Sequence, residues 1–424
     1  MIALSVYLGL IASCVFLGRG GAKSGHNYLL ATSLLLYVLV PGIVMSFRSE
    51  TLFYSMGSSV GLDVVFLTFL IFTLGWILGQ VVAKRIVPLG CVVGEANSWP
   101  QWVAWMTLAV SLPINGYLVV IGNASIEAAR AGSGMSALWA FKNVHLLGLL
   151  FFAAMYFAGA RNNKRAMQGF IVAAFFTAAV GLLEGRRTAV VLPILLYVSG
   201  GLFAGRVRLA QCLRMAFVLI GAILVTTGVR LFARDEFGVD FFVILDSIVG
   251  RLGAPLVAVA ELLESSQRLN VVFDPQTIQV LIGGLSGGTL DDKFISHSSG
   301  NDFGYAVGLL DASETFTRIN IGWVGELYAG YSWPGLFLGG ALFGLLVASL
   351  WRGFCNNSFL AVYGRLFLTI FVISGFQLDI PHPFLRLVRA LFLGLGLCLV
   401  GQLLPNGGSI KFVRRVRRGR VVEK

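Results

Sequence analysis

Long apolar runs separated by short polar stretches fill the chain from its first residues to about residue 404. A helix needs about 20 apolar residues to cross a hydrocarbon core about 30 Å thick, and most of these runs approach or reach that length. The pattern therefore predicts about eleven transmembrane helices. The predicted spans are 2–18, 28–47, 60–83, 102–121, 144–160, 168–183, 188–204, 215–233, 333–351, 366–380 and 387–404.

These spans predict an all-α, polytopic integral membrane protein with one large outer loop. We expect four parts along the chain: an N-terminal bundle of about eight spans in 1–233, the outer loop with short helices in 234–332, the C-terminal spans in 333–404 and a basic tail in 405–424. Within the outer loop, residues 240–267 predict a partly amphipathic helix, bent at Pro255, that lies along the membrane surface.

Composition supports the membrane assignment. Hydrophobic residues make up 57% of the chain, charged residues only 12%, and the mean hydropathy is +0.84. A soluble protein would carry roughly 25% charged residues. The net charge is +12, and the strongly basic tail beside a membrane span is explained by topology and by anionic lipid headgroups, not by nucleic-acid binding. The tail is therefore expected in the cytoplasm and the N-terminus outside.

Small-residue spacing in one span predicts close helix packing. Glycine recurs at short intervals in 333–351, at Gly335, Gly339, Gly340 and Gly344. Such spacing lets two helix backbones approach closely, and we favour packing within the chain over a dimer interface.

Soluble-enzyme chemistry finds no support in the sequence. The adjacent Asp291 and Asp292 lack further ligands at fixed spacing, and no nucleophile-elbow, zincin or phosphate-loop motif occurs. No pair of the five cysteines is expected to face an oxidising compartment, so no disulfide is predicted. We expect neither a metal nor a cofactor.

Many arginines fall on or near the predicted outer face, against the positive-inside trend. Of the 32 basic residues 25 are arginine, and the sequence Glu184–Gly185–Arg186–Arg187 interrupts an apolar region between two spans. The planar guanidinium donates two parallel hydrogen bonds to phosphate oxygens and keeps its charge, which suits a diphosphate. The alternative is pairing with a carboxylate such as Glu184. Candidate diphosphate ligands are Arg186, Arg187, Arg251, Arg318, Arg386 and Arg389.

Carboxylates, amides and aromatic residues are mixed in the last part of the outer loop and beyond it. Directional hydrogen bonds and flat apolar faces suit carbohydrate, although a solvated loop would have a similar composition. Candidate sugar contacts are Tyr305, Trp323, Glu326 and Tyr328. His382 lies between two prolines in a later polar break, and its near-neutral ordinary pKa makes it a candidate acid or base.

Two segments carry a family resemblance. Gly185–Arg186–Arg187–Thr188, between two apolar spans, resembles the glycine, small or basic residue, arginine, threonine or serine element of Wzy-type O-antigen and oligosaccharide repeat-unit polymerases. The stretch 321–335, with its glycine, glutamate, tyrosine and second glycine, is similar to the segment that follows the large outer loop in that family. Arg187 matches the family arginine, whereas Arg186 replaces a residue that is more often small.

The resemblance implies a polymerase of the bacterial inner membrane whose outer loop is periplasmic. Its substrate would be an undecaprenyl-diphosphate-linked oligosaccharide, its surroundings membrane lipid, and a chain-length regulator protein is a candidate partner. Arginine, first of all Arg187, would stabilise the departing diphosphate. A base must accept the proton of the attacking hydroxyl. The candidates are Glu184, His297, Asp302, Glu326 and His382.

Two other functions stay open. An O-antigen ligase would use similar topology and chemistry but transfer the glycan to a lipid A-core acceptor. A lipid-linked oligosaccharide flippase would be a transporter, for which internal repeats and a charged path through both leaflets are typical. The sequence has no evident repeat, and its charge is concentrated on one face.

Overall fold

The structure is a computed structural model in which most described residues are helical. It describes residues 8–10, 12–13, 25–47, 50–51, 54–55, 61–86, 90–94, 99–120, 144–158, 163–183, 187–204, 214, 221, 223–225, 227–228, 241–265, 321–354, 358–376 and 410–414.

The helices follow the apolar runs of the sequence. In chain order they are α1 Gly25–Leu34, α2 Val40–Phe47, α3 Leu62–Ile86, α4 Trp99–Val120, α5 His145–Ala158, α6 Lys164–Leu183, α7 Arg187–Phe203, α8 Phe241–Ser265, α9 Gly322–Gly353 and α10 Phe359–Gly375. Between α1 and α2 the helix passes through a π-helical segment, Leu35–Leu39, in which the backbone N–H of Val40 donates to the carbonyl of Leu35, five residues earlier.

The described helices confirm the helical class and are compatible with a membrane protein. Three of them are long and apolar enough to cross a membrane: Leu62–Ile86, Lys164–Leu182 and Gly322–Gly353. Several shorter helices in the described part of the chain are also apolar, among them His145–Ala158 and Phe359–Gly375. The total of about eleven spans stays a prediction, because 387–404 and most of 2–18 and 215–233 lie outside the described residues.

Two compact units divide the chain. The first contains residues 1–86, 240–349 and 368–390, and the second contains 87–239, 350–367 and 391–424. The predicted boundaries at 233, 332 and 404 concern membrane topology, which packing alone does not test, and they stay predictions.

In the first unit, glycines bring α3 and α9 into backbone contact. A Cβ atom at Gly75 or Gly79 of α3 would collide with the carbonyl oxygens of Phe337 and Ala341 in α9. Reciprocally, Gly340 and Gly344 of α9 lie against backbone carbonyls of α3, those of Phe72 and Trp76. The predicted packing of these small residues within the chain is confirmed for Gly340 and Gly344.

Helix α8 forms where a helix was predicted, and part of its second half is buried on every face. Every residue from Pro255 to Ala260 is buried, and so is Leu262. A Cβ atom added at Gly42 of α2 would lie 3.7 Å from Leu256 Cδ1. One added at Gly325 of α9 would lie 3.5 Å from Leu262 Cδ1. Consecutive burial encloses the helix on all sides at 255–260, whereas Glu264 is exposed, and the position of the helix along the membrane surface stays a prediction.

In the second unit, aromatic contacts join successive helices. Phe151 of α5 contacts Phe359 and Tyr363 of α10 edge-on, with ring centroids 5.4 and 5.2 Å apart. Phe170 of α6 and Tyr197 of α7 stack with centroids 6.3 Å apart. These contacts hold α5 against the start of α10, and α6 against α7, through large apolar surfaces.

Two short strand pairs supplement the helices. Strand β1, Glu50–Thr51, pairs with β2, Tyr54–Ser55. In the second unit, β3, Gly90–Gly94, pairs antiparallel with β4, Ile410–Arg414, so that Cys91 lies opposite Val413. The all-α prediction omitted these strands, and the second pair joins the segment after α3 to the basic tail.

Candidate functional site

The arginine turn is the three-residue connection 184–186 together with Arg187. Helix α6 ends at Leu183 and α7 begins at Arg187, as the predicted spans 168–183 and 188–204 required. A connection this short makes the two helices antiparallel neighbours. The stack of Phe170 on Tyr197 fits that arrangement, since both residues lie at comparable distances from the turn. Residues 184–186 and the side chain of Arg187 lie outside the described part.

Arg187 is the first residue of a helix. Backbone N–H groups of the first turn have no intrahelical acceptor, and together with the helix dipole they attract anions. A guanidinium at the same place adds a permanent positive charge. The backbone and the residue type at this position therefore favour the same ligand class, a phosphate or another oxyanion.

A second candidate region is the first half of α9, which contains Glu326. The helix starts at Gly322, where φ is +63° and a Cβ atom would collide with the carbonyl oxygen of Phe376, so only glycine fits well. Glu326 follows one turn later with 0% of its surface exposed. It takes part in a polar interaction within the protein. A fully buried carboxylate in an apolar helix is rare without a specific role.

Helix α9 is broken at Ser332. This residue has φ 56° and ψ −152°, and it is the sole non-glycine with positive φ among the described residues. That region of backbone space is nearly restricted to glycine and costs about 1–3 kcal/mol for other residues. Pro334 follows and lacks a backbone donor. The break separates the half-helix with Glu326 from the half that packs its glycines against α3.

Trp323 has a structural environment, not that of a sugar platform. Only 1% of its surface is exposed. Its ring stacks on Phe343 with centroids 4.3 Å apart and an interplanar angle of 4°, and Phe371 lies at 5.0 Å. Because Gly375 is in contact with the indole as well, a sugar cannot reach its face in this arrangement. The prediction of sugar binding by Trp323 is not supported, since sequence gives the residue type but not its burial.

Tyr328 is half-buried. It packs on a cluster formed by Ala258, Leu262, Ile321 and Ala329, and its ring meets Trp333 edge-on at 5.4 Å. Among the predicted sugar contacts that the structure describes, Tyr328 thus retains some accessible surface while Trp323 and Glu326 do not.

Sequence reasoning missed a buried polar cluster in the second unit. Ser111 Oγ lies 3.0 Å from His145 Nδ1, and Asn115 Nδ2 donates to Ser111 Oγ over 2.9 Å. All three side chains are buried. The sequence does place a serine and an asparagine four residues apart in α4, and this spacing puts both side chains on one face of the helix.

The remaining predicted residues divide into two groups. Arg251 lies in α8, where its side chain is outside the described part. The others are wholly outside the described residues: Glu184, Arg186, His297, Asp302, Tyr305, Arg318, His382, Arg386 and Arg389. Their roles stay predictions. In the described part, no group of three or more His, Cys, Asp or Glu side chains could hold a metal ion.

Comparison with known proteins identifies no relative. No protein-family model, no curated protein and no solved structure matches the chain.

Proposed function

We propose that the protein is an inner-membrane glycosyltransferase that polymerises undecaprenyl-diphosphate-linked oligosaccharide repeat units on the periplasmic face. The observation that carries the proposal is the position of Arg187 at the start of α7, with only three residues between it and the end of α6. A tight turn between two apolar helices is a suitable place for a lipid diphosphate, whose tail lies in the bilayer while its phosphates lie at the surface. The resemblance of 185–188 and 321–335 to the polymerase family supports the same substrate.

The reaction forms one bond and breaks another at the same carbon. A hydroxyl oxygen of the acceptor unit attacks the anomeric carbon of the donor glycan, and the bond from that carbon to the diphosphate oxygen breaks. The lipid diphosphate leaves with the electron pair, and a base accepts the hydroxyl proton. Arg187 acts on the leaving group, because the negative charge of the diphosphate grows as the bond breaks.

The base is a carboxylate or a histidine in this proposal. Glu326, the one candidate that the structure describes, has no exposed surface, so an acceptor hydroxyl does not reach it in the described arrangement. Glu184, His297, Asp302 and His382 are the other candidates.

The proposed topology has its cytoplasmic side at the β3–β4 pair. Strand pairing requires the segment after α3 and the basic tail to lie on the same side of the membrane. Lys84 and Arg85 in the last turn of α3 agree with a cytoplasmic position under the positive-inside rule. The eight predicted spans between the two strands are an even number, as this pairing requires.

The test is a polymerisation assay with purified protein in lipid nanodiscs and a synthetic lipid-diphosphate repeat unit. We expect a ladder of products for the wild type and a loss of about 100-fold or more in kcat for Arg187→Ala, the size observed when a group that stabilises transition-state charge is removed. Arg165→Ala is the matched control, because Arg165 is an exposed arginine at the other end of α6.

Two results would contradict the proposal. One is the absence of any ladder from folded protein with its cognate unit. The other is an unchanged ladder for Arg187→Ala at equal protein level. Adding a lipid A-core acceptor distinguishes a ligase, which would give single transfers to the core, while a flippase would form no new glycosidic bond.

A further inference from the structure

A buried hydrogen-bonded cluster joins two helices of the second unit. The Oγ atom of Ser111, in the second half of α4, lies 3.0 Å from Nδ1 of His145, which is the first residue of α5. Asn115 Nδ2 donates to Ser111 Oγ over 2.9 Å and to the Ser111 carbonyl over 2.8 Å. His145 is 2% exposed and Ser111 0%. Polar side chains inside apolar helices are commonly retained for a specific task.

The same imidazole also contacts a third helix. Its ring meets Phe176 of α6 edge-on, with centroids 5.2 Å apart and an interplanar angle of 86°. Phe176 lies seven residues before Leu183, the last residue of α6, which corresponds to about 10 Å of helix. The position of His145 therefore bears on where α6 ends and where α7, with Arg187, begins.

We propose that His145 is a positioning residue for the arginine turn. The hydrogen bond to Ser111 fixes the imidazole on α4, and the ring edge against Phe176 fixes α6 relative to α4 and α5. This inference rests on the proposed function, because its consequence is the placement of Arg187 against a lipid diphosphate. Positioning of this kind matters because a displacement of about 1 Å at a reacting group can reduce the rate by about 100-fold.

The hydrogen-bond pattern explains why histidine suits this place. The Ser111 hydroxyl accepts a hydrogen bond from Asn115 Nδ2 and shares another with Nδ1 of the imidazole. The ring of His145 packs at 86° to the ring of Phe176. Histidine thus combines a hydrogen-bonding ring nitrogen with an aromatic ring at this position.

The decisive experiment is a double-mutant cycle between His145→Ala and Arg187→Lys, read as kcat/KM for the lipid-diphosphate donor. Arg187→Lys keeps the charge but loses the planar fork whose placement His145 controls. We expect His145→Ala to lower kcat/KM about tenfold in the wild-type background and less than about twofold in the Arg187→Lys background, since coupled residues are not additive. Equal losses in both backgrounds would overturn the proposal and leave a purely stabilising role.

Two further variants keep the test interpretable. Ser111→Ala removes the hydrogen bond with little change of volume and should reproduce the coupling even if His145→Ala folds poorly. Thr177→Ala is the control, because Thr177 is buried in the same helix as Phe176 but its hydroxyl donates within its own helix, to the carbonyl of Ala173 over 2.7 Å. It should show no coupling to Arg187→Lys.

A distance measurement tests the positioning without any activity. Spin labels at Tyr117 in α4 and Leu182 in α6, both exposed, report the separation of the two helix ends. We expect the distance distribution to shift or broaden in His145→Ala and Ser111→Ala but not in Thr177→Ala. Unchanged distances in all variants would overturn the inference. If the variants show these shifts but the wild type forms no ladder, only the proposed function is refuted.

Discussion

The glycine contact between α3 and α9 gives a prediction whose size follows from the structure. A methyl group at Gly340 would collide with the carbonyl oxygen of Phe72, and its next neighbours are the carbonyl carbon of Phe72 at 3.1 Å and the backbone nitrogen of Trp76 at 3.2 Å. All three atoms belong to the backbone of α3, so no rotamer change can relieve the contact. The helices would have to separate locally by about 1 Å to restore ordinary van der Waals distances.

Overpacking of this kind costs about 1–3 kcal/mol. Replacing glycine by alanine inside a helix also gains about 1 kcal/mol of helix propensity, which would hide part of the loss. Gly116→Ala is the matched control, because Gly116 lies inside α4 and its added Cβ would meet nothing within 4 Å. The difference between the two variants isolates the packing term, about 1–3 kcal/mol in the free energy of unfolding.

Thermal unfolding in detergent measures this difference. For a compact unit of about 200 residues, 1 kcal/mol shifts the melting temperature by about 2–4 °C, so Gly340→Ala should melt several degrees below Gly116→Ala. Equal or reversed melting temperatures would refute the close backbone contact. Light scattering provides a second readout. An unchanged molar mass is expected, whereas dissociation of a dimer in Gly340→Ala would assign the glycines to an interface between copies.

Two more predictions concern strand pairing and charge. In a background without the other cysteines, Val413→Cys should form a disulfide with Cys91 under mild oxidation, because the two residues lie directly opposite each other in the antiparallel pair. Lys411→Cys lies opposite Val93 and should form none. Peptide mapping by mass spectrometry distinguishes the two outcomes. Burial, and then repulsion from Glu264, raises the pKa of the Glu261 carboxyl, so its contribution to stability is present below the ordinary pKa and is lost as the pH rises through the folded-state value. Glu264→Gln should therefore raise the melting temperature more at about pH 7 than at about pH 4, because the repulsion that it removes weakens as the Glu261 carboxyl takes up a proton; an equal gain at both values would contradict this cause.

Much of the helical framework could be predicted because it depends on local composition. The end of α6 and the start of α7 agree with the predicted spans to within a residue, since charged residues at 184–187 interrupt the apolar run between them. Helix α9 begins eleven residues before the predicted span at 333, because glycines and Glu326 lower the apolarity of its first half although the segment is buried. Hydropathy thus predicts the ends of a helix correctly where the buried residues are also the apolar ones.

Contacts between distant segments could not be predicted in this way. The pairing of β3 with β4 joins residues that are more than three hundred positions apart, and neither strand has a length or alternation that stands out locally. The Ser111–His145 contact likewise joins two helices whose relative rotation the sequence does not give. Trp323 was assigned to sugar because aromatic residues suit sugar, but the same property suits a core, and only its contacts distinguish the two.

The break at Ser332 divides α9 into halves that are held by different kinds of contact. The second half meets α3 through glycines against backbone carbonyls, which leaves no side chain that could rearrange. The first half meets α8 through Ile321 and Ala329 against Ala258 and Leu262, where side chains can repack. Except at Gly322, where a Cβ atom would meet the Phe376 carbonyl oxygen, added volume should therefore be tolerated better before Ser332 than after it, because cores of side chains relax and fixed backbone contacts do not. The fully buried Glu326 lies in the adaptable half, where a change in its polar partner could be accommodated without separating α3 from α9.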